Sequence, residues 1–251
     1  MKTIGIVFFV YLNAKKNWRR IVRNQILDVK KSGIFQNSKF YIVVSNPFDI
    51  SLELIHSFFK RYLNDPELSI FNENKFEYYG IHKLWEVANS GKHDYLVYFH
   101  TKGMSYKDSF LFSLLGVRSI RNKILTYYLF KKYKDTINFF DKQPSLNKIG
   151  FLLGQENGKC FTWYNFFWIR AAFVANYLEE PIETENRFYY ETWNSLTKEN
   201  VMESSNSAFS LYYRNNRLCS MAEATDILSN LRKLYKYTFP FSELFMKLNY
   251  K

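Results

Sequence analysis

Residues 3–12 read TIGIVFFVYL, an apolar run rich in β-branched and aromatic side chains that is typical of a strand buried on both faces. A helical pattern follows and ends at the pair Ser32-Gly33. The next apolar run, KFYIVVS at residues 39–45, predicts a second strand, and residues 52–63 repeat the helical spacing. This strand–helix–strand–helix order predicts an α/β fold with a mostly parallel sheet and right-handed crossovers.

The rest of the chain continues this alternation without an internal repeat or a Pro/Gly-rich linker. Patterning predicts a short strand, a helix, a strand, a basic helical region and a strand that passes into a helix, at residues 68–71, 80–88, 95–99, 109–140 and 166–178. We expect residues 1–200 to form one α/β domain. Residues 201–251 are expected to be a basic, aromatic, helical extension packed on that domain.

The composition fits a folded, cationic protein. The 251 residues are 47% hydrophobic, which is enough for a sizeable core, and the formal net charge is +12. That charge predicts attraction to polyanions, whether nucleic acid, an anionic membrane face or phosphorylated small molecules. The charge alone does not choose among these partners.

Cysteine usage and hydropathy exclude several classes of protein. Cys160 and Cys219 lie far apart without a second pair, so the sequence predicts neither a disulfide framework nor a zinc site. No run of ~18 apolar residues occurs, and the amino-terminal run has no small-residue cleavage site. We therefore expect a cytoplasmic protein without a signal peptide or a membrane span.

A cluster of polar residues ends the predicted strand in the stretch DYLVYFHTKG, residues 94–103. In an open parallel sheet, ligands bind just beyond the carboxyl ends of the strands. Lys102 supplies a flexible positive charge, and Gly103 lets the backbone approach a ligand closely. Thr101 and His100 add hydrogen-bonding groups. These four residues suit a diphosphate, although a solvated turn would also accommodate them.

Six segments form an ordered set: the first strand with its helix, FEYYGIHKLWEVA at 76–88, DYLVYFHTKG, an Arg121-centred helix, YNFFWIRAAFV at 164–174, and RFYYETW at 187–193. In this order they resemble the GT-A-type glycosyltransferases of bacterial surface-polysaccharide biosynthesis whose strand ends in HTKG. The resemblance covers roughly residues 3–196. It implies a GT-A-like, Rossmann-type domain that transfers a sugar from a nucleotide-sugar donor to a surface glycan, such as a polysaccharide, lipopolysaccharide or other glycoconjugate.

The chain departs from that family's pattern at two places. Trp163-Tyr164 stands where the family has Ser-Gly, and Phe167-Trp168 replaces its Trp-Trp pair. If the Ser-Gly shapes a substrate loop, the preference for sugar or acceptor is altered here. A non-catalytic nucleotide- or glycan-binding member of the same fold is therefore an alternative.

The motif also bears on metal dependence. Metal-dependent GT-A enzymes hold a divalent cation on an Asp-X-Asp at the strand end, whereas HTKG offers one hydroxyl group as a hard oxygen ligand. We infer that Lys102, with His100, replaces the metal as the counter-charge of the diphosphate. No divalent metal is expected, and no cofactor is predicted beyond the nucleotide-sugar co-substrate.

A catalytic base is expected in the segment RFYYETW. An inverting glycosyltransferase deprotonates the acceptor hydroxyl, and a carboxylate is the usual base. Glu191 lies four residues after Arg187, a spacing that puts both on one helix face. We predict Glu191, His100 and Lys102 as the catalytic residues. An ordinary helical ion pair between Glu191 and Arg187 is the alternative, and a retaining enzyme would need no such base.

Donor-binding residues are expected at strand ends and at a helix start. Strand ends hold the nucleotide base and ribose in such sheets, and the backbone amides of a helix start suit a phosphate or ribose. The predicted donor-binding set is Tyr11, Asn13, Ser45, Asn46, Glu77, Tyr79, Gly80, His100, Thr101, Lys102 and Gly103. Helix capping is the alternative for Glu77 and Tyr79.

An amide beside aromatic faces suits a sugar ring. Asn165, Phe166 and Trp168 offer that combination, and together with Arg187 they form the predicted acceptor- and sugar-binding set. Aromatic clusters are more often part of a hydrophobic core, so Asn165 is the strongest of the three.

Basic and aromatic residues alternate at residues 127–134 and in the tail at 235–251. This pattern suits an anionic membrane surface, where each nearby Lys or Arg contributes ~1 kcal/mol. It would bring the protein to a lipid-linked acceptor at the inner face of the plasma membrane; a solvated helix face is the alternative. No helix-turn-helix, RNA-recognition or zinc-finger signature occurs, so a nucleic-acid-binding protein is the least favoured alternative.

Overall fold

The structure is a computed structural model that describes residues 2–101, 118–198 and 207–237. Its strands are β1 (Ile4–Tyr11), β2 (Ser38–Ser45), β3 (Glu67–Phe71), β4 (Tyr95–His100), β5 (Leu146–Gly150), β6 (Leu153–Glu156), β7 (Lys159–Thr162), β8 (Phe167–Arg170) and β9 (Ser207–Ser210). Its helices are α1 (Trp18–Lys31), α2 (Leu52–Tyr62), α3 (Tyr78–Asn89), α4 (Ile120–Phe130), α5 (Tyr133–Lys142), α6 (Ala171–Tyr177), α7 (Arg187–Thr192) and α8 (Met221–Tyr237).

Seven of these strands form one mixed sheet in the order β3-β2-β1-β4-β8-β5-β9. The neighbours β3, β2, β1 and β4 pair in parallel, as do β5 and β9. Strand β8 is antiparallel to both β4 and β5, so it alone in this sheet runs against the others. The mostly parallel α/β architecture predicted from the sequence is confirmed.

Helices cover both faces of the sheet, which explains the continuous apolar runs of its central strands. On one face, Phe8 of β1 lies in a cluster with residues of α1, α2, α4 and α8. On the other face, Val7 and Phe9 lie in a cluster with α3, α6 and α7. Alternate side chains of β1 therefore enter opposite halves of the core.

The first helices begin and end at the residues that the sequence indicates. The Asn17 side chain accepts a hydrogen bond from the Arg20 amide at 3.2 Å and so caps α1. Gly33, with φ 82°, turns the chain after that helix. The helix predicted at residues 80–88 is α3, which begins two residues earlier at Tyr78.

The second half of the chain contains elements that patterning did not predict. These are the hairpin β6–β7 and the edge strand β9, which pairs with β5. Strand β9 and helix α8 belong to the predicted extension, whose boundary at residue 200 stays a prediction. Residues 109–117 of the predicted basic helix lie outside the described residues.

No helix in the described part of the chain combines the length and apolar character that crossing a membrane requires.

Candidate active site at the carboxyl end of the central strands

The carboxyl ends of β1 and β4 are joined through Thr101. The Thr101 amide donates to the Phe9 carbonyl oxygen at 3.1 Å, and the Tyr11 amide donates to Thr101 Oγ1 at 2.9 Å. Thr101 is buried, and its hydroxyl group is engaged by the backbone. Its direct role is therefore to hold the two strand ends together beneath any ligand.

His100 is held in place through its backbone carbonyl oxygen and through its imidazole ring. Its carbonyl oxygen accepts hydrogen bonds from the Gln25 amide nitrogen of α1 at 3.0 Å and from the Asn122 amide nitrogen of α4 at 3.1 Å. Its imidazole Nε2 lies 3.1 Å from the Tyr164 carbonyl oxygen. Because a carbonyl only accepts, Nε2 carries a proton. The end of β4 is thus held rigidly by two buried amides and a carbonyl.

A carboxylate lies next to this imidazole. Glu77, the residue before α3, places Oε1 3.7 Å from His100 Nε2. Its Oε2 accepts from the Asn165 amide nitrogen at 2.8 Å and from the Tyr98 hydroxyl at 3.4 Å. Burial raises the pKa of Tyr98 well above its usual value, and the Glu77 charge adds to that shift, so Tyr98 stays a donor.

Asn165 connects this group to α7. Its amide nitrogen also donates to the Tyr190 carbonyl oxygen at 3.0 Å, while Asn165 Oδ1 is buried without a hydrogen-bond partner among the described residues. The Phe166 ring packs 5.1 Å from the His100 ring and is fully buried. Asn165 and Phe166 therefore contact the Glu77–His100 group, Phe166 through ring packing against the imidazole; their role in sugar binding stays a prediction.

The turn before β8 carries Tyr164 in a left-handed conformation, with φ 72° and ψ 4°. Burial raises the pKa of its hydroxyl to about 12; the Glu191 charge adds to that rise, whereas Arg121 opposes it. Glu191 and Arg121 therefore both lie near Tyr164. Glu191 is half-buried, and within the described ranges its carboxylate makes no hydrogen bond or ion pair.

The predicted donor residues on β1 and β2 follow the same edge of the sheet. Tyr11 is half-buried at the end of β1, and Asn13 accepts a hydrogen bond from the Lys15 amide at 3.0 Å. Ser45 and Asn46 are buried, and their side chains bond to the backbone of Glu73 and Ile50. Tyr11 and Asn13 are therefore better placed for a ligand than the β2 pair.

The residues predicted at the start of α3 have internal roles as well. The Tyr79 hydroxyl donates to the Glu73 carboxylate, and its ring stacks on Phe71 at 3.8 Å. Gly80 is buried where α3 crosses the sheet; a Cβ there would lie 2.6 Å from the Tyr98 hydroxyl oxygen. Gly80 thus allows close packing of α3 on the sheet. The capping role considered for Glu77 and Tyr79 is not observed, because no side chain forms a capping hydrogen bond at the start of α3.

The structure does not bring the whole acceptor set to the site. Trp168 is fully buried in β8, and its indole nitrogen donates to the Leu129 carbonyl oxygen at 2.9 Å. A sugar cannot reach that ring without unfolding the core. Arg187 is exposed at the start of α7 and forms no ion pair with Glu191 in the described structure, so the alternative of a helical ion pair finds no support.

Lys102 and Gly103 lie outside the described residues, so the role of Lys102 stays a prediction. Arg121 lies near Tyr164, and its Nε is buried with no hydrogen-bond partner among the residues described. In the same ranges, no group of three or more His, Cys, Asp or Glu side chains could hold a metal ion.

Sequence reasoning missed Gln25 and Asn122, which hold the end of β4. Gln25 had a detectable signal, because it is a polar residue within the buried stripe of α1, between Val22 and Val29. Asn122 had none, since a polar residue near the start of a basic helix is normally solvated.

No family model matches the chain, and no curated protein matches it. Among solved structures, S. aureus TarS residues 1–349 is similar, with a TM-score of 0.39 and 11% sequence identity. The similarity covers 78% of this chain and 57% of the TarS chain, so the chain spans little more than half of that protein's length.

Proposed function

We propose that the protein is a glycosyltransferase, which moves a sugar from a nucleotide-sugar donor to a surface-glycan acceptor. The observation that carries this proposal is the convergence of His100, Glu77 and Asn165 at the carboxyl end of β4. This is the edge where open α/β sheets bind nucleotides. The half-buried Glu191 lies near Tyr164, whose carbonyl oxygen contacts His100. The ordered resemblance to the HTKG glycosyltransferases supports the same assignment.

In this proposal the donor lies along the ends of β1 and β4. Tyr11 and Asn13 contact the nucleoside, and Lys102 neutralises the diphosphate without a metal ion. Arg121 adds a positive charge, because its guanidinium lies near Tyr164 and its buried Nε has no hydrogen-bond partner among the described residues. A cationic side chain stabilises the charge that develops on the departing diphosphate.

Glu191 is proposed as the base. The acceptor hydroxyl oxygen attacks the anomeric carbon, the bond from that carbon to the phosphate oxygen breaks, and the hydroxyl proton passes to the Glu191 carboxylate. The nucleoside diphosphate leaves with the bonding electrons. Direct displacement inverts the configuration at the anomeric carbon.

The test is donor turnover by the purified protein in EDTA, with UDP-, GDP-, dTDP- and CMP-sugars and a glycan acceptor. Loss of a general base costs about 10²–10⁴-fold in rate, so Glu191→Gln should lose at least a hundredfold. The matched control is Glu185→Gln, an exposed carboxylate on the neighbouring loop, which should keep full turnover. Equal rates for both variants would remove Glu191 from the mechanism, and transfer that needs added Mn²⁺ would contradict the metal-free account.

A second candidate is a nucleotide- or glycan-binding protein without turnover. It is favoured by Tyr164, a bulky ring beside Glu191 at the position where the resembled family has glycine. Such a protein would be stabilised by nucleotide sugars and release no nucleotide from them. The same turnover assay, run beside a thermal-shift assay, separates the two candidates.

A further inference from the structure

A groove between α1 and α2 is lined by four arginines. It has a volume of roughly 630 Å³, with Arg19, Arg20 and Arg23 on one side, Arg61 on the other, and Phe58 and Tyr62 along its wall. All four arginines are exposed. We propose that this groove docks the protein on an anionic lipid bilayer.

The described residues do not neutralise the positive charge of the groove. In the structure as described, none of the four arginines forms an ion pair, and no carboxylate lines the groove. Arg19 and Arg61 lie 5.7 and 5.9 Å from the ring centres of Trp18 and Tyr62. Arg23 also donates a hydrogen bond to Asn24 Oδ1 at 3.3 Å. Because no carboxylate of the described residues holds the four guanidinium groups, they are available to phosphate groups, which arginine binds through paired hydrogen bonds.

Helix stability does not explain these arginines. Three of them occupy the first half of α1, where the helix dipole favours negative charge and disfavours positive charge. The first turn of α1 contains no acidic residue. Arg19 and Arg20, which lie in this first turn, therefore oppose the helix dipole, and an anionic partner would offset that cost.

The pattern along α1 favours a bilayer over nucleic acid. Arg19, Arg23, Leu27 and Lys30 follow one another at helical spacing on one face, and Leu27 is 37% exposed. An apolar side chain between cations suits the boundary between lipid headgroups and acyl chains, whereas a nucleic-acid phosphate backbone has no apolar surface for it to contact. The one acidic residue of α1, Asp28, is paired with Arg118 at 2.6 Å.

This inference does not rest on the proposed glycosyl transfer, because vesicle binding is measured without a donor or an acceptor. The assay is flotation of the full chain with vesicles of phosphatidylcholine alone, or with roughly one third phosphatidylglycerol. Each Arg near such a surface contributes about fivefold, so the triple variant Arg19→Gln, Arg20→Gln, Arg23→Gln should weaken binding on the order of a hundredfold.

The matched control removes the same charge from the other basic region, by Lys131→Gln, Lys132→Gln and Lys134→Gln. This control should change vesicle binding only a few-fold. The triple variant Arg19→Lys, Arg20→Lys, Arg23→Lys should keep most of the binding, because the charge is retained. Equal losses in the two triple glutamine variants, or loss in the lysine-to-glutamine variant alone, would overturn the proposal. So would absence of binding to anionic vesicles, or tighter binding of RNA that the arginine-to-glutamine variant loses.

Discussion

Tyr164 adopts a backbone conformation that L-residues with a Cβ rarely take. Its φ of 72° lies in the left-handed region, and Asn165 follows with φ 52°, which asparagine tolerates better. This turn aims the Tyr164 carbonyl at His100 Nε2. In the resembled family a glycine stands at the position of Tyr164, and the conformation explains why glycine fits there.

The strain at Tyr164 can be measured with two substitutions that both remove the ring. At an ordinary site, a protein with alanine is more stable than the same protein with glycine by about 0.4–1 kcal/mol. At Tyr164 the order should reverse. The unfolding free energy of Tyr164→Gly, measured by urea titration, should exceed that of Tyr164→Ala by about 1 kcal/mol. If the alanine variant is equally or more stable, the turn is not left-handed in solution.

Lys148 is a fully buried cation within β5. Its ammonium group donates to the carbonyl oxygens of Cys160 and Asn194, and the latter lies at 2.6 Å. Burial lowers the pKa of Lys148 to about 7, because the charged form loses its hydration. A lysine with this pKa couples the stability of the β5–β7 region to pH.

The direction of that coupling follows from proton binding. Between pH 7 and the usual lysine pKa near 10.5, the unfolded chain holds a proton that the folded chain has released. Stability therefore rises with pH in this window, by about 1.4 kcal/mol per pH unit. Urea unfolding at pH 7 and pH 9 should show this rise in the wild type, while Lys148→Met should lack it. Parallel pH dependence in the two proteins would show that Lys148 is not buried.

At the scale of elements, α3 reaches the sheet through Gly80. A Cβ at this position would lie 2.6 Å from the Tyr98 hydroxyl oxygen and 2.7 Å from Phe9 Cβ. The helix therefore lies closer to β1 and β4 than it could if any residue other than glycine occupied position 80. That approach places Glu77, the residue before the helix, beside His100.

Gly80→Ala should push α3 away from the sheet. We expect a loss of about 1–3 kcal/mol in unfolding free energy, as for other overpacked core sites, together with weaker donor binding. Gly91→Ala is the control: no atom lies within 4 Å of its Cβ, and its φ of 66° alone should cost about 1 kcal/mol. Donor binding that survives Gly80→Ala unchanged would separate this packing from the site.

The elements from β1 to β4 were predictable because their patterns are long and end in clear turn residues. Strands β6, β7 and β9 have four residues each, which is too short for the hydrophobic alternation of a strand to show. Of the candidate site residues, His100 and Glu77 were singled out as polar residues at a strand end and a helix start, and Asn165 as an amide beside aromatic side chains; the structure brings the three together. Trp168 was assigned to sugar binding because a buried aromatic and a ligand-facing aromatic look the same in sequence.

At the scale of the whole molecule, α1 joins two surfaces. Its buried face presents Gln25 to the end of β4, and its exposed face presents Arg19, Arg20 and Arg23. In the proposed docking, the start of α1, which follows the carboxyl end of β1 in the chain, would face the bilayer.

The central claim is that a lysine at the end of β4 neutralises the donor diphosphate. Its most direct test is a thermal-shift panel of nucleotide sugars in EDTA, for the wild type, Lys102→Ala and the control Lys92→Ala, an exposed lysine in the loop before β4. The account predicts that a diphosphate sugar at about 100 times its Kd stabilises the wild type and Lys92→Ala by about 2.7 kcal/mol, and that Lys102→Ala loses most of this. Stabilisation that persists undiminished in Lys102→Ala would contradict it.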